Sequence, residues 1–437
     1  MLSQTQSFMW FSRPYTLLEQ SAADFGDRFT LQVPGWGTPA VVVVHDPAAV
    51  REVFTAADDA LAAGLANAYL RPLFGERSLF VLDGAEHIRL RRLLLRALSG
   101  PRLQTHGRSI QEIARRSSAR WPRDRPFPLL PALLAIALDV IIDVVLGASP
   151  DPRHHHAIRT QVTHVVAQLH HSLAAAGGPA QNVATQQVRH NAERLAQLLN
   201  QERAARRISG CLAGGDVFQT LLGTCAGWPD AEAAAWLRAQ LMTLLFAGHE
   251  TTGTALAWTL VLLAEHPDAM DRLRAELAEL GTDPDPEAVV KLPWLDAVIR
   301  ESLRFRPVVP VVSRQTRCPV VLAGMNLTAG IRVSPSIYLA QRRCPPFDEP
   351  EMFSPERFLS GRRASPYEFF PFGGGQHRCT GMGLALYEMK LVLAELVERF
   401  GFTSAATHPV VPTRRTIIVA PSQGAPFALT RRRRPSA

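Results

Sequence analysis

The strongest restriction on the fold is an unusually long apolar helix that the sequence predicts from about Ala231 to Glu265. A helix apolar on nearly every side must be buried on most of its faces, as a central scaffold would be. Inside it stands Ala247-Gly248-His249-Glu250-Thr251-Thr252, an acid and an alcohol at adjacent positions beside a glycine. In the blandest reading Thr251 donates to the carbonyl four residues back, that of Ala247, and Glu250 is a stray acid. Against it, burying an unpaired carboxylate costs several kcal/mol and needs a reason.

A second stretch, Phe372-Gly373-Gly374-Gly375-Gln376-His377-Arg378-Cys379-Thr380-Gly381, presents one cysteine on a glycine-rich loop. Its glycines permit positive φ and a close approach of backbone to a flat ligand, so the loop can wrap a sulfur. Leu384, Tyr387, Leu391 and Ala394 follow at helical spacing up to Gly401, which puts Cys379 just before a helix N-terminus. Backbone N–H groups and the helix dipole there favour a thiolate. A lone cysteine after a glycine turn would be a small buried residue. The aromatic, the glycines, a basic residue two before the cysteine and a glycine two after it argue for a ligand instead.

The length of 437 residues would allow two or three domains, but no Gly/Ser linker or low-complexity stretch divides the chain. Hydrophobic residues at 47% and charged ones at 20% supply a sizeable core and exclude disorder. Cysteines at 211, 225, 318, 344 and 379 form an odd set without a CxxC pair, which argues against a disulfide framework or a zinc site and fits a reducing cytosol. No secretory signal is evident, and Met9-Trp10-Phe11 is too short to span anything. The longest apolar run, Leu129 to Leu146, is interrupted by Pro131, Asp139 and Asp143, so it reads as a buried helix rather than a membrane span. A net charge of +8 could point to nucleic acid or an acidic partner, but much of the excess is Arg431 to Arg434, in a tail (430–437) expected to be solvated and disordered.

The remainder reads as mostly helical, with strands near both ends. Phe29 to Val33 and Ala40 to Val44 are predicted strands around Pro34-Gly35-Trp36-Gly37, and Asp46-Pro47 starts a helix. Residues 60–85 read as a long loop, a kind that is usually functional. On a helix from about Glu86 to Leu98, His87 and Arg91 share one face while Arg89, Arg92 and Arg96 point the other way; all could be merely solvated. Further helices between 154 and 215 break at Gly177-Gly178 and Gly214-Gly215. His154-His155-His156 reads as loop surface, because adjacent imidazoles cannot share one helix face. Glu301 and Arg304 can pair at i, i+3, and Pro307 to Val312 is an apolar extended run before Arg314, in the simplest case an edge strand with an exposed arginine. No GxGxxG follows a strand, and no reductase domain is fused.

Taken together, these segments resemble the cytochrome P450 family of haem-thiolate monooxygenases, in its soluble bacterial form, with four motifs in the family's order across nearly the whole chain. The resemblance implies a single domain over 1–437, mainly α with small β-sheets (α+β), holding haem b between the long helix and the cysteine loop. It makes Cys379 the iron ligand, places Phe372 against the ring, and gives the propionates to His87, Arg91, Arg314 and His377, the last standing where arginine is more usual. Glu250 and Thr251 become the oxygen-activating pair, beside a groove opened at Ala247-Gly248. Glu301, Arg304 and Arg357 become a buried structural triad, although Arg343 stands where the family commonly has aspartate. Leu245, Phe246, Ala247, Val308, Val309 and Val311 would line the substrate pocket, capped by residues 60–85 and the Gly177-Gly178 connection. The implied partners are an apolar, medium-sized organic substrate, O2, and a separate ferredoxin or flavodoxin with its reductase, docking on the Arg89, Arg92 and Arg96 stripe. Nucleic acid and an integral membrane segment are not expected, and the expected compartment is the cytoplasm. The same fold could instead serve as a peroxygenase, an oxidative coupling catalyst or a non-catalytic haem sensor.

Overall fold

A computed structural model describes residues 2–32, 40–147, 152–174, 180–209, 216–361, 364–415 and 417–431. The long apolar segment is one unbroken helix, Asp230–Glu265. Asp230 and Glu232 in its first turn complement the helix dipole, and Pro267, at the start of the next helix, ends it. Trp236, Leu245, Leu256, Trp258 and Leu263 are buried, so both halves lie within the core.

Beside it runs the helix Leu129–Leu146. This is the one helix among the described residues long and apolar enough to cross a membrane. Here it is a core helix: Leu129, Leu133 and Ile136 have no exposure. The two helices meet where side chains are missing, for a Cβ on Gly248 would come within 2.6 Å of Ile141 Cδ1 and one on Gly253 within 2.9 Å of Leu134 Cα. At Gly248 the absent side chain makes room for Ile141, and the helix runs unbroken through the Ala247-Gly248 pair. The two acids of the apolar helix reach polar partners: Asp139 pairs with Arg159 at 2.6 Å, and Asp143 accepts from Ser109 Oγ at 2.9 Å.

A five-stranded sheet joins strands from residues 28–62 with strands from residues 314–335. Arg28–Leu31 pairs antiparallel with Val41–Val44, which runs parallel to Arg332–Pro335; Arg314–Thr316 and Leu61–Ala62 complete it. All four valines of Val41–Val44 are buried, as befits an inner strand covered on both faces. Three short strands, Phe127–Pro128, Phe400–Ser404 and Pro426–Arg431, form another sheet, and Pro412–Arg415 with Ile418–Pro421 a hairpin. The architecture is mainly helical with small sheets, as expected.

Several expectations change. Residues 60–85 contain strand Leu61–Ala62 and helical turns Ala63–Ala66, Ala68–Leu70 and Arg71–Phe74, pieces too short to show a period in sequence. His154, His155 and His156 lie in a helix, Pro152–Ala174, not on a loop; His154 Nε2 sits 3.4 Å from Glu202 Oε2. Thr430 and Arg431 are not tail but the last rungs of a strand, opposite Gly401 and Phe400. Val33 with the turn at 34–37, Gly177-Gly178, Gly214-Gly215, Cys211 and the rest of the arginine tail lie outside the described residues.

Candidate active site

The cysteine loop is held by its own backbone and by one aromatic ring. Gly373 and Gly375 adopt φ of 69° and 67°, values that favour glycine. Gly373 N–H donates to Phe370 O at 2.8 Å, and Cys379 N–H donates to Phe372 O at 2.9 Å. Phe54, from the helix Pro47–Thr55, presses against the loop so closely that a Cβ on Gly374 would lie 2.2 Å from its ring. The helix Met382–Arg399 begins directly afterwards, with Ala385 N–H on Gly381 O at 2.8 Å. Burial pushes the Cys379 thiol up, and the Gly381 N–H, Arg91 and Arg378 pull it back only in part. Desolvation thus outweighs the helix-terminus effect expected from sequence, and a bound metal cation is what would turn this sulfur into a thiolate. Although protein surrounds it, Cys379 is exposed, so its side chain remains accessible.

The four residues expected at the propionates converge on this loop. Arg91, on the helix Gly84–Ala97, donates to Arg378 O and to Thr380 Oγ1. Arg314 is buried and donates to Gly374 O at 3.1 Å; burial lowers its pKa to about 10. His87 and His377 stack with ring centroids 3.8 Å apart. Burial, then neighbouring positive charge, holds His87 at about 4 and His377 at about 3, so both are neutral at pH 7. His87 Nδ1 is buried without a hydrogen-bond partner. Phe372 is half-buried, its side chain packed on the main core. Arg89, Arg92 and Arg96, on the opposite face of the His87 helix, are exposed.

The predicted triad is fully assembled. Arg304 and Glu301 have no exposure and form a two-pronged ion pair at 2.7 and 2.8 Å. Arg304 also donates to the carbonyls of Gln341, Pro350 and Met352, and Arg357 Nε reaches Glu301 Oε1 at 3.2 Å. Every lone pair and N–H of such a buried pair needs a partner, which this arrangement supplies from the loop downstream. The unusual Arg343 is accommodated by Asp27, to which it donates.

On the long helix, Glu250 is buried, and Thr251 Oγ1 donates to Ala247 O at 2.7 Å. That bond uses the hydroxyl proton and leaves the oxygen free to accept one. A small cavity on the same helix is lined only by apolar side chains: Phe74, Val162, Val165, Leu195, Met242, Leu245 and Phe246. Leu245 and Phe246 were expected there. Val308 and Val309 join the main core, and Val311 packs with Tyr15 and Tyr338. Phe74, Val162, Val165, Leu195 and Met242 were not foreseen, because separate apolar residues on separate helices carry no signal of convergence. Nor were Asp58 and Asp83, which lie beside His377.

The chemistry of the donor set fits haem b. An accessible sulfur offers a ligand for iron, glycine backbone allows a flat ring to approach, and the buried Arg314, the half-buried Arg91 and a partnerless buried imidazole nitrogen would be relieved by two carboxylates.

Comparison with known proteins agrees. Residues 5–427 match the family described as "Cytochrome P450". Over 405 residues the chain is 34% identical to cytochrome P450 135B1 of Mycobacterium tuberculosis, covering 92% of this chain and 84% of that protein. It is also 34% identical over 416 residues to cytochrome P450 135A1 of the same species, covering 94% and 89%. Among solved structures, a cyanobacterial CYP120A1 with retinoic acid bound superposes with a TM-score of 0.84 at 24% identity, over 98% of this chain and 96% of that one. The cytochrome P450DA heme domain gives 0.84 at 23%, over 97% and 94%.

Proposed function

This chain belongs to the cytochrome P450 family and is a haem b monooxygenase, and on that premise we propose that it inserts one oxygen atom from O2 into a C–H or C=C bond of an apolar, medium-sized organic substrate. Cys379 would hold the haem, which would supply the redox centre for dioxygen chemistry. His87, Arg91, Arg314 and His377 would orient it through its propionates, and the Phe372 carbonyl fixes the Cys379 backbone. Glu250 and Thr251 would manage protons: Thr251 Oγ1, its own proton committed to Ala247 O, can accept a hydrogen bond, and Glu250 is the neighbouring acid that can supply a proton. Electrons arrive from a separate ferredoxin or flavodoxin, attracted by the exposed Arg89, Arg92 and Arg96 stripe, and the enzyme works in the cytoplasm.

The single observation behind the apolar substrate class is the small cavity on the long helix, whose lining offers neither charge nor hydrogen-bonding side chain. Such a lining binds by apolar burial, so selectivity follows size and shape. A ligand panel scored by the Soret shift on displacement of iron-bound water tests it: apolar ligands should bind, and tight binding of highly charged ligands alone would refute the assignment.

A further inference from the structure

His377 turns its Nε2 edge toward two carboxylates. The nitrogen lies 3.4 Å from Asp58 Oδ1 and 3.6 Å from Asp83 Oδ1, with all three side chains close to nine-tenths buried. Both acids are anchored. Asp58 Oδ2 accepts the N–H of Gly84 at 2.8 Å, at the start of the helix that bears His87 and Arg91. Asp83 accepts the N–H groups of Gly64 at 2.7 Å and Leu65 at 3.1 Å and pairs with Arg317 at 2.8 Å. The two carboxylates therefore join three segments: the 60–85 region, the cationic helix and the cysteine loop.

Three ligand-type groups this close could hold a divalent cation. The surroundings argue otherwise. Asp83 has its oxygens committed to two N–H groups and a guanidinium, and Arg314 lies near enough to feel both acids. A cation would have to displace bonds already made and enter beside two arginines. The cluster is better understood as a clamp with fixed negative charge. His377 is two residues from Cys379, at most about 7 Å of chain away, so charge held against it acts near the iron. Buried charge is poorly screened, and reduction adds an electron, which nearby carboxylates oppose.

We infer that Asp58 and Asp83 are positioning residues for the haem, holding His377 from its Nε2 side and placing two fixed negative charges at the cofactor's edge that lower the iron's reduction potential. The inference rests on haem being bound through Cys379. Neither acid touches the reacting atoms.

The test is spectroelectrochemical titration of the full-length holoenzyme at low ionic strength for the parent, Asp58→Asn, Asp83→Asn, the double variant and Asp58→Glu, each checked for the red-shifted Soret band of its reduced carbon monoxide complex. Each asparagine keeps the shape and removes the charge, so the potential should shift positive, further in the double variant, and return toward the parent's in Asp58→Glu. An unchanged or more negative potential in Asp58→Asn, with the thiolate band intact, overturns the inference; that variant decides alone if Asp83→Asn does not load haem. A parent potential that responds to EDTA or Mg2+, and no longer does in Asp58→Asn, would make the cluster a cation site and also overturn it. Absence of the thiolate band in the parent would strike the haem assignment instead.

Discussion

The loop from Phe372 to Gly381 and the cavity on the long helix are held by different forces. The loop is one contiguous stretch fixed by directional bonds, Cys379 N–H on Phe372 O and Gly373 N–H on Phe370 O, and by glycines under Phe54. The cavity is assembled from segments as distant as Phe74, Val162, Leu195 and Met242, joined by apolar packing alone. Directional bonds with close backbone contact tolerate few substitutions. An apolar lining accepts volume-conserving swaps at a cost below about 1.5 kcal/mol. Under the proposed function the redox chemistry falls to a local motif fixed by directional bonds, while substrate choice falls to a dispersed apolar surface that can vary without losing the fold.

The sharpest way to break this contrast is Cys379→Ala. It should abolish the red-shifted Soret band of the reduced carbon monoxide complex and all monooxygenation, while the fold by circular dichroism survives. Retention of the band would remove Cys379 as the ligand.

The polar side can be separated from the apolar side by pH in the chain prepared without haem. His87 is held at about 4 by burial, below the ordinary 6.5 of histidine. Between these values the unfolded chain binds more protons than the folded one, so stability present above about pH 6.5 is lost as pH falls toward 4. The effect is on the order of a hundredfold in the folding equilibrium. His377 titrates in the same direction. Denaturant midpoints measured from pH 8 to pH 4 should decline, and less steeply in His87→Phe; an equal slope in both would show that His87 carries none of it.

Thr251→Ala probes the border between the regions. The fold and haem content should be unchanged, whereas product formed per NAD(P)H falls about tenfold and hydrogen peroxide rises, the equivalent of one lost hydrogen bond of roughly 1.4 kcal/mol. Undiminished coupling would leave the hydroxyl with only its bond to Ala247 O.

The smallest effect belongs to the outer face of the cradle helix. Reversing the stripe with Arg89→Glu, Arg92→Glu and Arg96→Glu should slow the first electron transfer from a ferredoxin several-fold at low salt, with ligand binding intact, because exposed charge steers encounter and is screened. Reduction that ignores both salt and these changes would place docking elsewhere.

The amino-acid sequence by itself determined the parts whose chemistry is contiguous or periodic. The long helix is visible because its apolar run is unbroken, the cysteine loop because its glycines surround one sulfur, and His87 with Arg91 because i, i+4 spacing already puts them on one face. The pairing of Glu301 with Arg304 was legible for the same reason, and its bonds to carbonyls 341, 350 and 352 were not. Tertiary structure alone decided that Gly248 admits Ile141, that Val311 packs with Tyr15 and Tyr338, and that Asp58 and Asp83 meet His377 across some three hundred residues of chain. Contacts of that range depend on how separate elements pack and leave no local period, so physical proximity, and with it the balance between burial and charge at Cys379, exists only once the chain has folded.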